Sequence, residues 1–176
     1  MTLKHKKNQK KILLKLVKLL SLATLGTQFA ACASTQSADF SVIYENKQCA
    51  HTEPELIHIS NDKQQAQLIQ KLLPFREEAD KAELQDLLHT HQNTEHLFLL
   101  TQGTRPTPGY GFKMLAEKAT IEAATLQLPV QFTRPEAGKM MAQVLTSPCI
   151  ILGVDKSVRF NRIEADSLQL DISLPE

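Results

Sequence analysis

The chain has 176 residues, and its 20 Lys and Arg side chains nearly balance its 19 Asp and Glu side chains. The balance is uneven along the chain, because seven lysines lie within residues 1–18 and no acidic residue precedes Asp39. Without residues 1–31, the remaining 145 residues carry 13 basic and 19 acidic side chains, a formal charge of −6. This charge, without a basic stripe, argues against nucleic acid as a partner. The length suits one domain rather than a two-domain cofactor enzyme.

The N-terminus has the organisation of a secretory signal peptide. Polybasic residues 1–18 are followed by the short apolar stretch Leu19–Leu25 and then by small residues, which is the order such signals follow. The segment Phe29–Cys32 resembles the lipobox of bacterial lipoproteins, in which a peptidase cuts before a lipid-modified cysteine. Its Phe29 stands where Leu is usual. We therefore predict a signal peptide over residues 1–31 and lipidation of Cys32.

The same segment predicts where the protein is found. In lipoproteins, Ala rather than Asp after the modified cysteine favours the outer membrane, so Ala33 predicts a cell-envelope location facing the periplasm. The polar run that follows is typical of a flexible tether, giving a tether over residues 32–39 and one globular domain over 40–176. Two alternatives stay open: a transmembrane anchor, which the interspersed polar residues argue against, and ordinary signal cleavage that leaves Cys32 as a thiol.

The other two cysteines favour a disulfide. With Cys32 consumed by lipid, Cys49 and Cys149 remain in an oxidising compartment, where an even number of cysteines is commonly paired. A bridge would close a loop of about 100 residues, for which the chain-entropy model gives up to about 4.7 kcal/mol. Two separately buried thiols are the alternative, because a free cysteine packs as a small apolar side chain.

The first part of the domain alternates strands and helices. Phe40–Tyr44 and Glu55–Ile59 have the alternation of strands. Ser60-Asn61-Asp62 is a cluster of N-cap residues before a helix that Pro74 ends. A second helix is expected from about Arg76 to His89, and the residues expected to point inward are Ala79, Leu84, Leu87 and Leu88.

The second part of the domain is rich in strands. After a short strand at Leu97–Leu100, four further segments have strand-like patterns: Phe112–Ala119, Thr120–Phe132, Met140–Val154 and Leu168–Leu174. Pro148 within the third of these indicates an edge or a bulge. The predicted fold is α+β: two N-terminal strands and a helical pair, followed by an antiparallel sheet that is compatible with a sandwich.

Two motifs that suggest catalysis or metal binding have simpler explanations. Ser60–Lys63 matches the S-x-x-K pattern of penicillin-binding enzymes, but their other two elements are absent, and helix capping explains these residues. His89, His91 and His96 invite a metal hypothesis, yet ring positions i and i+2 point apart on a helix, and histidines are favoured at helix C-termini. We therefore predict no enzyme activity, no metal and no cofactor.

A turn-rich loop remains, with Gly103 before it and Gly111 after it. Prolines fix the backbone and glycines permit unusual conformations, so a rigid hairpin connection is one interpretation. The alternative is a partner-binding loop, because Arg and Tyr are enriched at binding hot spots and a pre-ordered loop binds at lower entropic cost. The residues of this candidate site are Arg105, Pro106, Thr107, Pro108, Gly109 and Tyr110.

The loop also carries a resemblance. Gly103-x-x-Pro106-Thr107-Pro108-Gly109-Tyr110 resembles the G-x-x-P-T-G-G-Y signature of the PrcB C-terminal domain family. A second signature of that family is similar to Pro135-x-x-Gly138-x-x-x-x-Gln143-x-Leu145-Thr146-x-Pro148. The match covers about Leu97–Lys156. It departs from the family at Pro108, which stands in place of a glycine, and at Cys149, a position that is often aromatic.

The resemblance implies a non-catalytic accessory module. The family is named after a surface lipoprotein subunit that assembles with and stabilises a protease, so the expected partners are the membrane, through Cys32, and a protein that could be a protease. The loop is also similar to the N-P-T-T-G-Y element of chagasin-type cysteine-peptidase inhibitors, which makes peptidase inhibition the alternative function. A structural envelope lipoprotein is a third hypothesis.

Overall fold

A computed structural model describes residues 35–174 of the chain. The elements in chain order are β1 (Gln36–Asn46), β2 (Pro54–Ile59), α1 (Asp62–Leu72), α2 (Glu78–Gln92), β3 (Glu95–Gln102), β4 (Gly111–Met114), β5 (Lys118–Glu122), β6 (Thr125–Leu128), β7 (Val130–Thr133), β8 (Cys149–Asp155), β9 (Arg162–Ala165) and β10 (Leu168–Asp171). Cys32 and the signal peptide over residues 1–31 lie outside the described residues. Among the residues described, no helix is long and apolar enough to cross a membrane.

The strand β1 joins two half-sheets. Eight strands are hydrogen-bonded in the order β10-β9-β6-β5-β1-β8-β3-β2. Residues 36–39 of β1 pair with β5, whereas residues 40–46 pair with β8. The first half-sheet therefore consists of β10, β9, β6, β5 and the start of β1, and the second consists of the rest of β1 with β8, β3 and β2. A separate two-stranded ribbon is formed by β4 and β7.

Strand alternation divides the second half-sheet between two cores. On one face, Phe98 and Leu152 pack with Leu126 and Ile163 of the first half-sheet, so the two half-sheets face each other like a sandwich. The opposite face of the second half-sheet packs against both helices. Because both faces are covered, β3 and β8 are buried along almost their whole length, and their central residues form continuous apolar runs, as in strands buried on both sides.

These elements confirm the α+β prediction, with a sheet that is antiparallel except at one place. The strands β6 and β9 run parallel, which the sequence did not indicate. Parallel neighbours need a crossover connection, and here residues 129–161, which contain β7 and β8, supply it.

The helices begin and end close to the predicted positions. Asn61 is the N-cap of α1, and its side chain accepts a hydrogen bond from the Gln64 amide at 2.9 Å. The predicted inward face of α2 is partly wrong, since Ala79 and Leu87 are exposed. Lys81 is buried in their place, because its Nζ donates hydrogen bonds to side chains of both helices.

Two predicted boundaries also need correction. Residues 36–39, assigned to the flexible tether, are the first part of β1, because β5 offers them backbone partners and Ala38 enters the core. The predicted strand Met140–Val154 begins only at Cys149. Its first part is exposed, with the Met140 side chain 98% accessible. Pro148 directly precedes β8, a position where its missing N–H costs no ladder hydrogen bond.

Candidate functional site

The structure brings the two signature segments together. Arg105 and Thr146 form an isolated antiparallel bridge: the Arg105 N–H donates to the Thr146 carbonyl at 2.7 Å, and the Thr146 N–H donates to the Arg105 carbonyl at 2.9 Å. The Thr146 hydroxyl also donates to the Thr107 carbonyl at 3.2 Å. We call the joined loops 103–111 and 134–148 the signature surface.

Gly109 is a second point of contact between these loops. Its φ of +97° lies in the region that glycine adopts without strain. A Cβ at this position would lie 3.2 Å from both the Met141 Cε and the Pro135 Cγ. The backbone of the first loop therefore contacts the second loop at Gly109, where there is no side chain between them.

Gly103 fixes the base of the loop against the connection between β1 and β2. The Thr104 N–H donates to the Thr52 carbonyl at 3.0 Å. Gly103 has a φ of +72°, and a Cβ there would lie 2.6 Å from the Thr52 oxygen and the Glu53 carbonyl carbon. Both conformation and space therefore require glycine at this position. The Gln102 side-chain amide completes the base by donating to the Gly111 carbonyl.

The predicted disulfide is present beside this base. Cys49 and Cys149 are bonded, with Cα atoms 5.9 Å apart. Around them, Ser147 makes backbone hydrogen bonds with the amide of Cys49 and the carbonyl of Lys47. The Ser147 hydroxyl also donates to the His51 carbonyl at 2.6 Å and accepts from the His51 N–H at 3.0 Å. The segment 47–53 is thereby fastened to the start of β8.

The loop displays one cation over an aromatic ring. The Arg105 guanidinium carbon lies 5.4 Å from the centre of the Tyr110 ring, within the range of a cation–π contact. Among residues 35–174, the buried Arg105 Nε has no hydrogen-bond partner. Between them, Pro106 and Gly109 are exposed, while Thr107 and Pro108 are half-buried. The predicted site residues therefore form one continuous loop of mixed exposure.

The structure adds exposed apolar residues that sequence reasoning missed. Met140, Val144 and Leu145 are 98%, 52% and 67% exposed. Leu145 also borders a groove of about 400 Å³ that is lined in part by Phe75, itself 96% exposed. From sequence alone, the apolar residues of this segment predict a strand. Only their position inside the second signature indicates a surface role.

The remaining candidate residues are dispersed. The Ser60 N–H and hydroxyl both donate to Gln64 Oε1, at 3.0 and 2.9 Å, so Ser60 supports the helix start. His89 lies 3.4 Å from Asp62, and His91 lies 2.6 Å from Glu95. His96 is buried on the face of β3 that points away from the helices, where it meets Phe160. Within residues 35–174, no group of three or more His, Cys, Asp or Glu side chains is placed to hold a metal ion.

His96 is the most strongly perturbed of the histidines. Burial, together with the nearby His58, Lys156 and Arg159, lowers its pKa to about 4. Its ring is 7% exposed and meets the Phe160 ring edge-on, with the ring centres 6.1 Å apart. It is therefore a neutral core histidine at pH 7, and its site is remote along β3 from the signature surface.

Comparison with known proteins agrees with the loop geometry. Residues 97–155 match the family model described as PrcB C-terminal, which confirms the resemblance inferred from the two signatures. The matched range runs from β3 to the end of β8 and so contains the whole signature surface. No curated protein and no solved structure matches the chain significantly.

Proposed function

We propose that this protein is a lipid-anchored, non-catalytic binding module of the bacterial cell envelope, attached to the outer membrane through Cys32. Its partner is a protein, and a protease is the partner class that the resemblance favours. The observation that carries the proposal is the fastening of both family signatures into one surface by the Arg105–Thr146 bridge, with bare apolar side chains beside it.

Those apolar side chains contribute little to folding. Met140 is 98% exposed and buries almost none of its surface. Leu145 is 67% exposed and buries only part of its surface. Several exposed apolar side chains in one loop favour an interaction site, and Arg and Tyr in the bridged loop are residue types enriched at hot spots. Because loop 103–111 is held by Thr146 and by segment 47–53, little ordering entropy would be lost on binding.

Peptidase inhibition through the same loop is less well supported. A loop that enters an active-site cleft must be free along both flanks. Here the Thr107 carbonyl is bonded to the Thr146 hydroxyl, and Gly109 lies against Pro135 and Met141. The loop is therefore backed by the second loop, which suits a broad contact surface better than an inserted wedge.

Cross-linking and capture in envelope membranes test the proposal. The full-length chain would be compared with an Arg105→Ala/Tyr110→Ala variant and with a Met140→Ser/Leu145→Ser variant. A Lys63→Ala/Gln67→Ala variant is the matched control, because both of these side chains are exposed on α1. None of these changes removes the backbone bridge to Thr146, so all three variants should keep the thermal stability of the original chain.

We expect one partner protein to be captured by the original chain and the control, and lost with both signature-surface variants. A partner captured equally by all four proteins would overturn the assignment of this surface. A panel of papain-like and serine peptidases separates the alternative, since stoichiometric inhibition that disappears with Arg105→Ala/Tyr110→Ala would favour the inhibitor function. Mass spectrometry of the mature N-terminus tests the lipid on Cys32.

A further inference from the structure

The start of β1 limits how far the domain can be from its anchor. Only residues 33–35 separate Cys32 from Gln36, the first residue of β1. Four residue steps span at most about 14 Å when fully extended. The polar layer of one bilayer leaflet is itself about 5–8 Å thick. If Cys32 carries lipid, as the proposed function holds, the start of β1 is close to the headgroups.

The pairing of β1 identifies which other residues lie next to the start of this strand. Gln36 pairs with Ile121 near the end of β5, so the turn at residues 122–124 lies next to it. The Ala124 carbonyl accepts from the Asn161 N–H, and the Asn161 carbonyl accepts from the Ile172 N–H, each at 2.9 Å. A groove lined by residues 36–39 continues to residues 155–159. We call residues 122–124, 155–161 and 172–174 the tip.

The tip has the side chains that a headgroup layer accepts. Lys156 and Arg159 are exposed and bond only to backbone carbonyls among the described residues, at 2.5 Å to Gln92 and 2.7 Å to Lys156 respectively. Half-buried apolar side chains line a second groove beside Arg159, namely those of Ile172 and Leu174. The carboxylates of Glu122 and Asp155 are also exposed there, so the cations are not the sole charges.

From this placement we propose that the tip is the membrane-facing surface of the protein, with Lys156 and Arg159 contacting anionic phospholipid headgroups. Cations near such a surface are attracted within about one Debye length, ~8 Å at physiological salt. The short connection to Cys32 keeps Gln36 close to the headgroups, and Arg159 lines the same groove as Gln36. The inference rests on the proposed lipidation of Cys32 and adds the orientation of the domain.

The same orientation turns the signature surface away from the membrane. The strand β1 is antiparallel to β8, with Phe40 opposite Val154 and Asn46 opposite Cys149. The tip lies at the first of these ends, and the Cys49–Cys149 disulfide and loop 103–111 lie at the second. At about 3.3 Å per residue, the six residue steps from Phe40 to Asn46 separate the two ends by roughly 20 Å.

Headgroup quenching tests the orientation. The full-length chain, lipidated in cells, would be reconstituted into phosphatidylethanolamine–phosphatidylglycerol vesicles that carry a nitroxide on a fraction of their headgroups. A fluorophore would be attached at Ser173→Cys in the tip or at Val144→Cys on the signature surface. Both positions are exposed, and the native Cys49 and Cys149 are buried in a disulfide. We expect several-fold stronger quenching at position 173 than at position 144.

Charge reversal tests the headgroup contact. Lys156→Glu/Arg159→Glu should reduce quenching at position 173 in these vesicles. The control Lys113→Glu/Arg134→Glu makes the same change in net charge at β4 and at the start of the signature surface loop 134–148, and should leave quenching at position 173 unchanged. Equal loss of quenching in both variants, or none in either, overturns the role of Lys156 and Arg159.

Mass spectrometry of the reconstituted chain separates two kinds of failure. If Cys32 is lipidated but positions 173 and 144 are quenched equally, or position 144 more, the orientation is overturned while the anchored module stands. If Cys32 carries no lipid, both the orientation and the lipid anchor of the proposed function are overturned.

Discussion

Arg105 and Thr146 exchange two backbone hydrogen bonds, at 2.7 and 2.9 Å, although each belongs to a different signature segment. Because of this bridge, two short motifs that are far apart in the sequence form one structural feature. Pro106 and Pro108 set the path of the first loop, and Thr146 holds that path through its backbone bonds to Arg105 and its hydroxyl bond to the Thr107 carbonyl. The signatures therefore describe one structural unit, and its stability can be tested residue by residue.

Replacement of Gly103 by alanine should destabilise the fold strongly. The new Cβ would lie 2.6 Å from the Thr52 oxygen, at a backbone φ of +72°. The left-handed conformation costs about 1–2 kcal/mol for a non-glycine residue, and the clash with backbone adds about 1–3 kcal/mol. We expect a loss of about 3 kcal/mol in the free energy of unfolding, measured by urea denaturation.

Gly138→Ala is the matched control for that change. Gly138 also has a positive φ, +81°, but a Cβ there meets nothing within 4 Å. It should lose only the conformational part, about 1 kcal/mol. Equal losses for the two variants would show that the close approach of Gly103 to segment 47–53 has no energetic weight.

Removal of the disulfide should loosen the base of the signature surface before the rest of the domain. Cys49→Ala/Cys149→Ala should lower the free energy of unfolding by about 2–5 kcal/mol, the usual range for such bonds. Hydrogen exchange should accelerate at the Ser147 and Thr104 amides, whose acceptors lie in segment 47–53. A reducing agent should destabilise the original chain by a similar amount and leave the double variant unchanged. Uniform acceleration across the domain would contradict this account.

Stability should fall with acidification because of His96. Its pKa is about 4 in the folded chain against the ordinary 6.5, so the unfolded chain binds the proton first as the pH falls. The contribution of neutral His96 is complete above about pH 6.5 and is lost progressively between that pH and 4. From these two pKa values we expect a loss of about 2 kcal/mol at pH 5.

The substitution His96→Phe tests this assignment. Phenylalanine fits the aromatic surroundings, where the ring centres of Phe98 and Phe160 are 6.1 Å apart. Phenylalanine also cannot be protonated. The difference in unfolding free energy between pH 7.5 and pH 5 should shrink by most of that amount. His89→Gln changes an exposed histidine and should leave the difference as it is. If the two variants behave alike, His96 is not the source.

The S-x-x-K motif should behave as a helix cap. Asn61→Ala removes the side-chain acceptor of the Gln64 N–H and should cost about 1 kcal/mol of stability. Lys63→Ala changes an exposed side chain of the same motif and should change the unfolding midpoint little. A larger effect of Lys63 than of Asn61 would contradict the capping assignment.

Local patterns predicted the parts of the fold that local forces determine. The strands β2 and β3, the cap at Asn61 and the disulfide were all indicated by alternation, cap chemistry and cysteine count. The strand assignment of residues 36–39 was missed because their polar side chains look like a tether. Their conformation depends on hydrogen bonds to β5, which lies far along the chain.

Long-range pairing also explains what was missed at the candidate site. The sequence indicated loop 103–111 and a second signature, but not that Arg105 meets Thr146. Apolar residues 140–145 were assigned to a strand because a pattern does not show whether a neighbour exists to cover them. The same limit applies to Lys81, whose burial depends on acceptors from both helices.

The strand β1 has a consequence for the geometry of any encounter. If Cys32 is lipidated and the tip faces the membrane as proposed, β1 holds the signature surface in a layer roughly 20 Å above the headgroups. A binding partner must present its complementary patch at that height, so a protein whose loops barely emerge from the bilayer could not reach it. A longer link before Gln36 would let the signature surface occupy a wider range of heights above the membrane. Encounters with a partner would then be less frequent, although no residue of the signature surface is altered.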